Sequence, residues 1–326
     1  MTTSTVRPFR FGFTGGASSK RAKLLDSART VEALGFSTFG LADHFVRPLA
    51  PLIAGQAVAD ATTTLRITQT VLAQDFREPA VLAKELATLD VLSEGRLQIG
   101  LGAGWLQQEY DDAGVRFESA TARIARLEET VLILKGLFTQ ERLSFSGEHY
   151  RVHELQGLPR PVQQPWPPIM IGGGGKKLLS VAARQADIVQ LMPSNPNGRS
   201  LLDASQFSGD AIEEKIGWIR DAAGSRFADI ELSAQLLECA VTDRPDEHLS
   251  DFADRIAMVT ARMGGADVAF DPDELGRSPI VAVGTLDEVC DQLIETRRRY
   301  GISYFAAPVD ARPEVLAPVI ERLAGT

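Results

Sequence analysis

Cysteine is nearly absent from this chain: Cys239 and Cys290 are the only two in 326 residues. They stand far apart and form no CxxC pair, which argues against a disulfide framework or a thiolate metal cage and suits a reducing cytoplasm. Long apolar runs are missing as well. No stretch approaches the roughly 18 uninterrupted apolar residues of a membrane span, and no apolar run of signal-peptide length follows the polar residues 1–8. Positive charge is in deficit, with 34 Lys and Arg against 43 Asp and Glu, a net charge of −9. That deficit argues against nucleic acid or an anionic membrane as partner. The expectation is a soluble, cytoplasmic protein acting on a small molecule, in which any anionic ligand is met by local donors.

What is present is alternation. Short apolar segments over 9–14, 38–42, 65–73, 97–101, 169–171, 187–191, 230–241 and 304–307 read as strands, the third rich in β-branched residues. Helical patterns over 18–34, 51–60, 79–92, 176–185, 211–223, 247–263, 285–300 and 313–323 separate nearly all of them. Parallel β/α units follow from that order, and eight strands favour a closed (β/α)8 TIM barrel of the α/β class over an open doubly wound sheet. The rhythm breaks over 105–168. Helical patterns at 106–113 and 121–138 are followed there by a hairpin at 143–155 and a proline-rich connector at 159–168. That segment reads as an insertion after the fourth strand of a single domain, 1–326.

Three motifs carry chemistry. Asp43 and His44 lie where the second strand hands over to its loop, the end of a barrel where catalytic groups collect. Histidine exchanges protons near neutral pH, although a capping Asp beside a packed His is equally compatible. Gly100-Leu101-Gly102-Ala103-Gly104 follows the fourth strand without completing a dinucleotide fingerprint. Small residues there let a flat group approach the backbone, or simply make a tight turn. Gly172-Gly173-Gly174-Gly175-Lys176-Lys177 joins a strand to a helix, so free N–H groups and the positive helix end converge as at a phosphate site, or as at a hinge. It is not a Walker loop. Thr70, polar in an apolar strand, reads as barrel packing. The run from Glu148 to Glu154 alternates like a strand, which separates His149 and His153 by about 13 Å and argues against a metal site there.

Taken together, the strand ending in Asp43-His44-Phe45, the run GRLQIGLGAGW before Glu109-Tyr110, and PPIMIGGGG before Ala186-Asp187-Ile188-Val189 resemble the bacterial luciferase-like oxidoreductases, nearest in type to the actinobacterial branch that uses the deazaflavin coenzyme F420. The resemblance implies a (β/α)8 barrel and a homodimer. It places Asp43 and His44 beside the reactive ring, and a bulge with a non-prolyl cis bond at Thr70-Val71 behind it. It also places Ala73, Gly102, Ala103, Gly104 and Gln108 along the cofactor and Gly172, Gly173, Gly174 and Gly175, with Lys176, at its phosphate. Lys177 and Arg184 are further candidates for an anionic tail. Trp105 stands where the sugar-phosphate dehydrogenase branch carries a catalytic Glu, which leaves an apolar wall instead. Trp105, Phe13, Met192 and the loop 193–209 are then expected to bound a substrate pocket. The implied activity is hydride transfer between F420 and a small apolar or aromatic compound, with His44, oriented or charge-balanced by Asp43, moving the proton. An FMN-dependent monooxygenase and a non-catalytic flavin-binding barrel are the alternatives.

Overall fold

In a computed structural model of the chain, which describes residues 7–194, 204–262, 269–309 and 311–326, eight parallel strands close into a barrel. They are β1 (Arg10–Gly15), β2 (Thr38–Leu41), β3 (Arg66–Gln69, resuming as Leu72–Ala73), β4 (Leu97–Gly102), β5 (Ile169–Gly173), β6 (Ile188–Leu191), β7 (Glu231–Gln235) and β8 (Ile302–Ala306). The hydrogen-bonded order runs β3-β2-β1-β8-β7-β6-β5-β4, and β3 pairs with β4 to complete the circle.

Alternation along each strand sorts side chains to two sides of the barrel wall. Phe11, Phe39, Ile67, Ile99, Ile171, Val189 and Phe305 belong to one large apolar layer shared with the helices. The alternate positions meet inside. Arg10 of β1 bonds Gln98 of β4 and Glu231 of β7, strands too far apart in the sheet to touch except across the interior. Tyr304 fills the space beside Gly12, where a Cβ would come within 2.9 Å of its hydroxyl.

The helices are α1 (Arg21–Ala33), α2 (Pro51–Ala61), α3 (Pro79–Leu92), α4 (Gln107–Ala113), α5 (Ala120–Thr139), α6 (Lys176–Gln185), α7 (Gly209–Ala223), α8 (Pro245–Arg262), α9 (Pro272–Gly276), α10 (Leu286–Tyr300) and α11 (Ala317–Leu323). Their ends carry recognisable local signals. Pro opens α2 and α3, Ser119 and Ser208 cap α5 and α7, and Thr285 with Glu288 forms a capping box on α10, which Gly301 terminates in the left-handed conformation. None of the described helices is long and apolar enough to cross a membrane.

Three expectations change. α5 packs between α3 and α6, in the outer ring, so it is the regular helix of the fourth unit rather than part of an insertion. What departs from the repeat between β4 and β5 is α4, the antiparallel pair Leu143–Ser146 with Arg151–Leu155, and the connector after it. The strand expected over 65–73 is interrupted, at the bulge and cis bond that the resemblance implies there. Ile67 pairs with Leu97 and Leu72 with Leu101, so five residue steps of β3 span four of β4, a bulge, and the Thr70–Val71 bond within it is cis. The strand expected over 230–241 is two strands. Leu236 still bonds Ala306, but Leu237 turns to Ile280, and Glu238–Val241 pairs in parallel with Val281–Gly284 outside the barrel. That pair, with α8 and α9, forms a second excursion that the absence of a turn residue over 230–241 conceals.

Candidate active site

β2 ends at Leu41, and the next residues are pulled in opposite directions. The Asp43 carboxylate accepts the Ala73 N–H at 3.0 Å and both ends of the Arg77 guanidinium, at 2.6 and 2.9 Å. It therefore ties the β2 loop to the end of β3. The His44 ring faces the other way, its Nδ1 2.7 Å from Oε2 of Glu109. Glu109 lies in the first turn of α4 and is 6% exposed. Its other oxygen accepts the Phe45 N–H at 2.8 Å. The expected pairing of Asp43 with His44 is thus replaced: the histidine's carboxylate is Glu109, because Arg77 and Ala73 occupy Asp43. Trp105 meets the His44 ring edge-on, 5.9 Å between centroids.

The floor of the mouth is Val71, half-buried on Met170, Ile188 and Tyr304. Two glycines flank it. A Cβ on Gly102 would come within 2.6 Å of Val71, whereas one on Gly172 would find only ordinary contact at 3.5 Å. Thr70 touches Thr14 across the barrel, hydroxyl to hydroxyl at 3.5 Å. The turn after β4 is held from behind. Arg123 donates to the carbonyls of Ala103, at 3.1 Å, and Gly104, at 3.4 Å. Gly104 has φ +70° and lies against the Tyr110 hydroxyl, where any Cβ would collide. Tyr110 in turn donates to Asp75 at 3.2 Å. Burial pushes the Asp75 carboxyl up from its ordinary value against the opposing pull of Arg126, and it raises the Tyr110 hydroxyl in the same direction.

At β5 the chain passes through Gly172 to Gly175 into α6. Gly175 is the N-cap, with no side-chain cap on the helix, and a Cβ there would meet nothing nearer than Ser194 at 3.8 Å. The first-turn N–H groups of this ten-residue helix have no side-chain cap, while a Cβ on Gly174 would collide with the backbone of Met192 and Pro193. Lys176 and Lys177 are exposed beside it. Met192 lies at the end of β6, its N–H on the carbonyl of Gly173 at 2.9 Å.

Other expected positions fall elsewhere. Phe13 is 7% exposed and packs on Phe36 and Phe39, on the helix side of the wall, because Gly12 and Thr14 take the inward positions. Gln108 is exposed and bonds Asp112 one turn on; it is one residue, about 100°, round the helix from Glu109. Arg184 sits in the last turn of α6, ion-paired with Glu128 at 2.9 Å, at the opposite end of that helix from the glycine run. Of the loop 193–209, residues 195–203 lie outside the described residues. The residue pattern assigns no role to Glu109, Arg77 or Arg123. Only Glu109 left a signal, as the acid after the Gly-Trp turn.

A parallel β/α barrel whose polar and glycine-lined groups gather at the C-terminal strand ends has the architecture of an enzyme. The chain belongs to the luciferase-like monooxygenase family, whose model matches residues 1–304, and it is an oxidoreductase of that family. It is 34% identical over 190 residues to an F420-dependent glucose-6-phosphate dehydrogenase of Kineococcus radiotolerans, a match covering 56% of each chain. It is also 34% identical over 131 residues to an FMNH2-dependent dimethylsulfone monooxygenase of Pseudomonas putida, covering 40% of this chain and 36% of that one. Among solved structures, the F420-dependent tetrahydromethanopterin reductase from Methanopyrus kandleri superposes with a TM-score of 0.76 at 17% identity over 98% of this chain and 99% of the other. At that identity the likeness concerns the fold.

Proposed function

We propose that this chain is a coenzyme F420-dependent oxidoreductase that transfers a hydride between the deazaflavin and a small apolar or aromatic compound. The observation that carries the reading is the conjunction at one barrel mouth of a glycine-flanked floor at Val71, an uncapped helix end at Gly175, and His44. The floor suits a flat ring because Gly102 and Gly172 raise no side chain beside Val71. The helix end suits a phosphate, with N–H groups already oriented and two lysines beside them for a longer anionic tail. Bound there, the deazaflavin supplies the two-electron hydride chemistry. The residues of the chain do the rest. Asp43, with Ala73 and Arg77, fixes the loop; His44 holds or delivers the proton that accompanies the hydride; Trp105 and Met192 wall the substrate side with apolar surface. Trp105 stands where an acid would serve sugar-phosphate oxidation, which favours an apolar substrate over the sugar phosphate named for the Kineococcus relative. A homodimer in the cytoplasm belongs to the same reading.

FMN fits the same floor and helix end, and the Pseudomonas relative names it. Titration with F420 and with FMN separates the two, followed by fluorescence quenching and by the visible spectrum with and without oxygen. The expected outcome is saturable F420 binding, and hydride transfer from reduced F420 to members of a panel of small carbonyl and alkene compounds. In His44→Asn the transfer rate is expected to fall about 10²–10⁴-fold, with the F420 Kd within about 3-fold of wild type. Tight FMN binding without F420 binding overturns the deazaflavin reading. Unchanged turnover in His44→Ala removes the histidine from it.

A further inference from the structure

We infer that Glu109 is a positioning residue that holds His44 in its Nδ1–H tautomer, so that Nε2 is the atom exchanging the proton. The inference deepens the reading of His44 given above and rests on it for the word proton, but its geometry stands alone. An ionised carboxylate only accepts hydrogen bonds. With Nδ1 at 2.7 Å from Oε2, the ring must present an N–H there; an unprotonated Nδ1 would set a lone pair against a buried negative oxygen. Nor can Glu109 turn aside readily, because its Oε1 is engaged by the Phe45 N–H at 2.8 Å. That second bond comes from the residue next to His44. One carboxylate therefore clamps both the ring and the backbone that carries it. Nε2 makes no hydrogen bond to another described residue, and so is left with the lone pair in the neutral ring.

The other acid in reach by sequence is Asp43, and its geometry rules it out of this role. Both of its oxygens are held by Arg77, and one also by Ala73. The two neighbours divide the work: Asp43 locks the loop to β3, and Glu109 locks the ring to α4. Trp105 also packs on the imidazole, in a T-shaped contact with 5.9 Å between ring centroids. The arrangement makes orientation of the ring a service that α4 performs, and it gives the first departure from the β/α repeat after β4 a function.

The test reads the tautomer directly and needs no cofactor. Histidine-labelled protein is examined by ¹H–¹⁵N correlation at a pH of about 9, well above the ordinary histidine range. The four histidines are sorted by the signal lost in His44→Asn. The expected result is Nδ1 protonated and Nε2 unprotonated at His44. In Glu109→Leu this preference is lost, and in Asp43→Asn it is unchanged. With reduced F420, Glu109→Leu is expected to lower kcat about 10–100-fold with KM and cofactor Kd within about 2-fold. An Nε2–H tautomer in the wild-type protein overturns the inference, as does an unchanged tautomer in Glu109→Leu. If Glu109→Leu does not fold, the wild-type spectrum alone decides. If the tautomer is as stated and neither F420 nor FMN supports turnover, the functional reading fails while the positioning role stands.

Discussion

Asp43 and His44 are adjacent in sequence and have separate partners, Arg77 34 residues on and Glu109 65 residues on. The types and place of the two residues were legible, because an acid and a histidine at a strand end are visible in one dimension. Their partners were not, because nothing in the spacing of a chain says which carboxylate a ring will meet after the barrel closes. Phe13 is the converse case. It looked exposed to a pocket by its position at the end of β1, yet the small inward residues on either side, Gly12 and Thr14, fix it against the helices. The Arg77 clamp should be measurable as stability. The Asp43 side chain is 9% exposed, and Arg77→Ala leaves it charged beside the Ala73 N–H alone. We expect a loss of about 2–4 kcal/mol in urea unfolding. Arg77→Lys should fall between, since an ammonium cannot reproduce the two-pronged contact. A loss as small for Ala as for Lys would mean that the fork does not matter.

At the scale of elements, the strands and helices that obey a period were readable, and those that share a period with their neighbours were not. Residues 230–241 hold no Gly, Pro, Asn or Asp, so nothing local marks the point where Leu237 leaves β8 for Ile280. Residues 281–284, their partner, are too short to stand out. The contacts that seat one unit on the next are just as invisible. Glu32, near the end of α1, accepts the N–H groups of Thr63, Thr64 and Leu65, and so anchors the turn that leads into β3. Burial alone would raise its carboxyl. The N–H donors of Thr64, Leu65 and Thr63 outweigh it and hold the group at about 2 instead of 4.5. A depressed folded value means that the stabilisation is fully present above about 4.5 and lost as the pH falls toward 2. Because the group is close to solvent, screening limits the contribution to about 1 kcal/mol. Urea unfolding of wild type and Glu32→Gln should therefore differ by about that much at pH 7, with the gap narrowing below pH 4.5. A gap that stays constant with pH would show that the carboxylate's charge is not its source.

For the molecule as a whole, the barrel separates what it stabilises from what it reacts. The mouth holds His44, Val71 and the glycine runs. Further along the interior, Arg10 of β1 bonds Glu231 of β7 at 2.6 and 2.7 Å and Gln98 of β4 at 3.1 Å, and stacks 3.9 Å over the ring of Tyr304 in β8. Four strands on different sides of the circle are joined by one guanidinium. A charged residue opening an apolar strand gives no hint in sequence that its partners lie across a barrel, which is why this cluster was not foreseen. Its removal should be felt unevenly. Arg10→Met strands the Glu231 carboxylate in a mostly buried place and is expected to cost about 3–5 kcal/mol. The double replacement Arg10→Met with Glu231→Leu leaves no charge behind and should cost clearly less, despite deleting more native contacts. In both variants F420 should bind within about 2-fold of wild type, measured at a temperature where they remain folded, because neither residue belongs to the mouth. If the double variant is the less stable of the two, the pair is worth more than the desolvation it imposes. If F420 binding weakens along with stability, the mouth depends on the interior cluster, and the separation of the two ends fails.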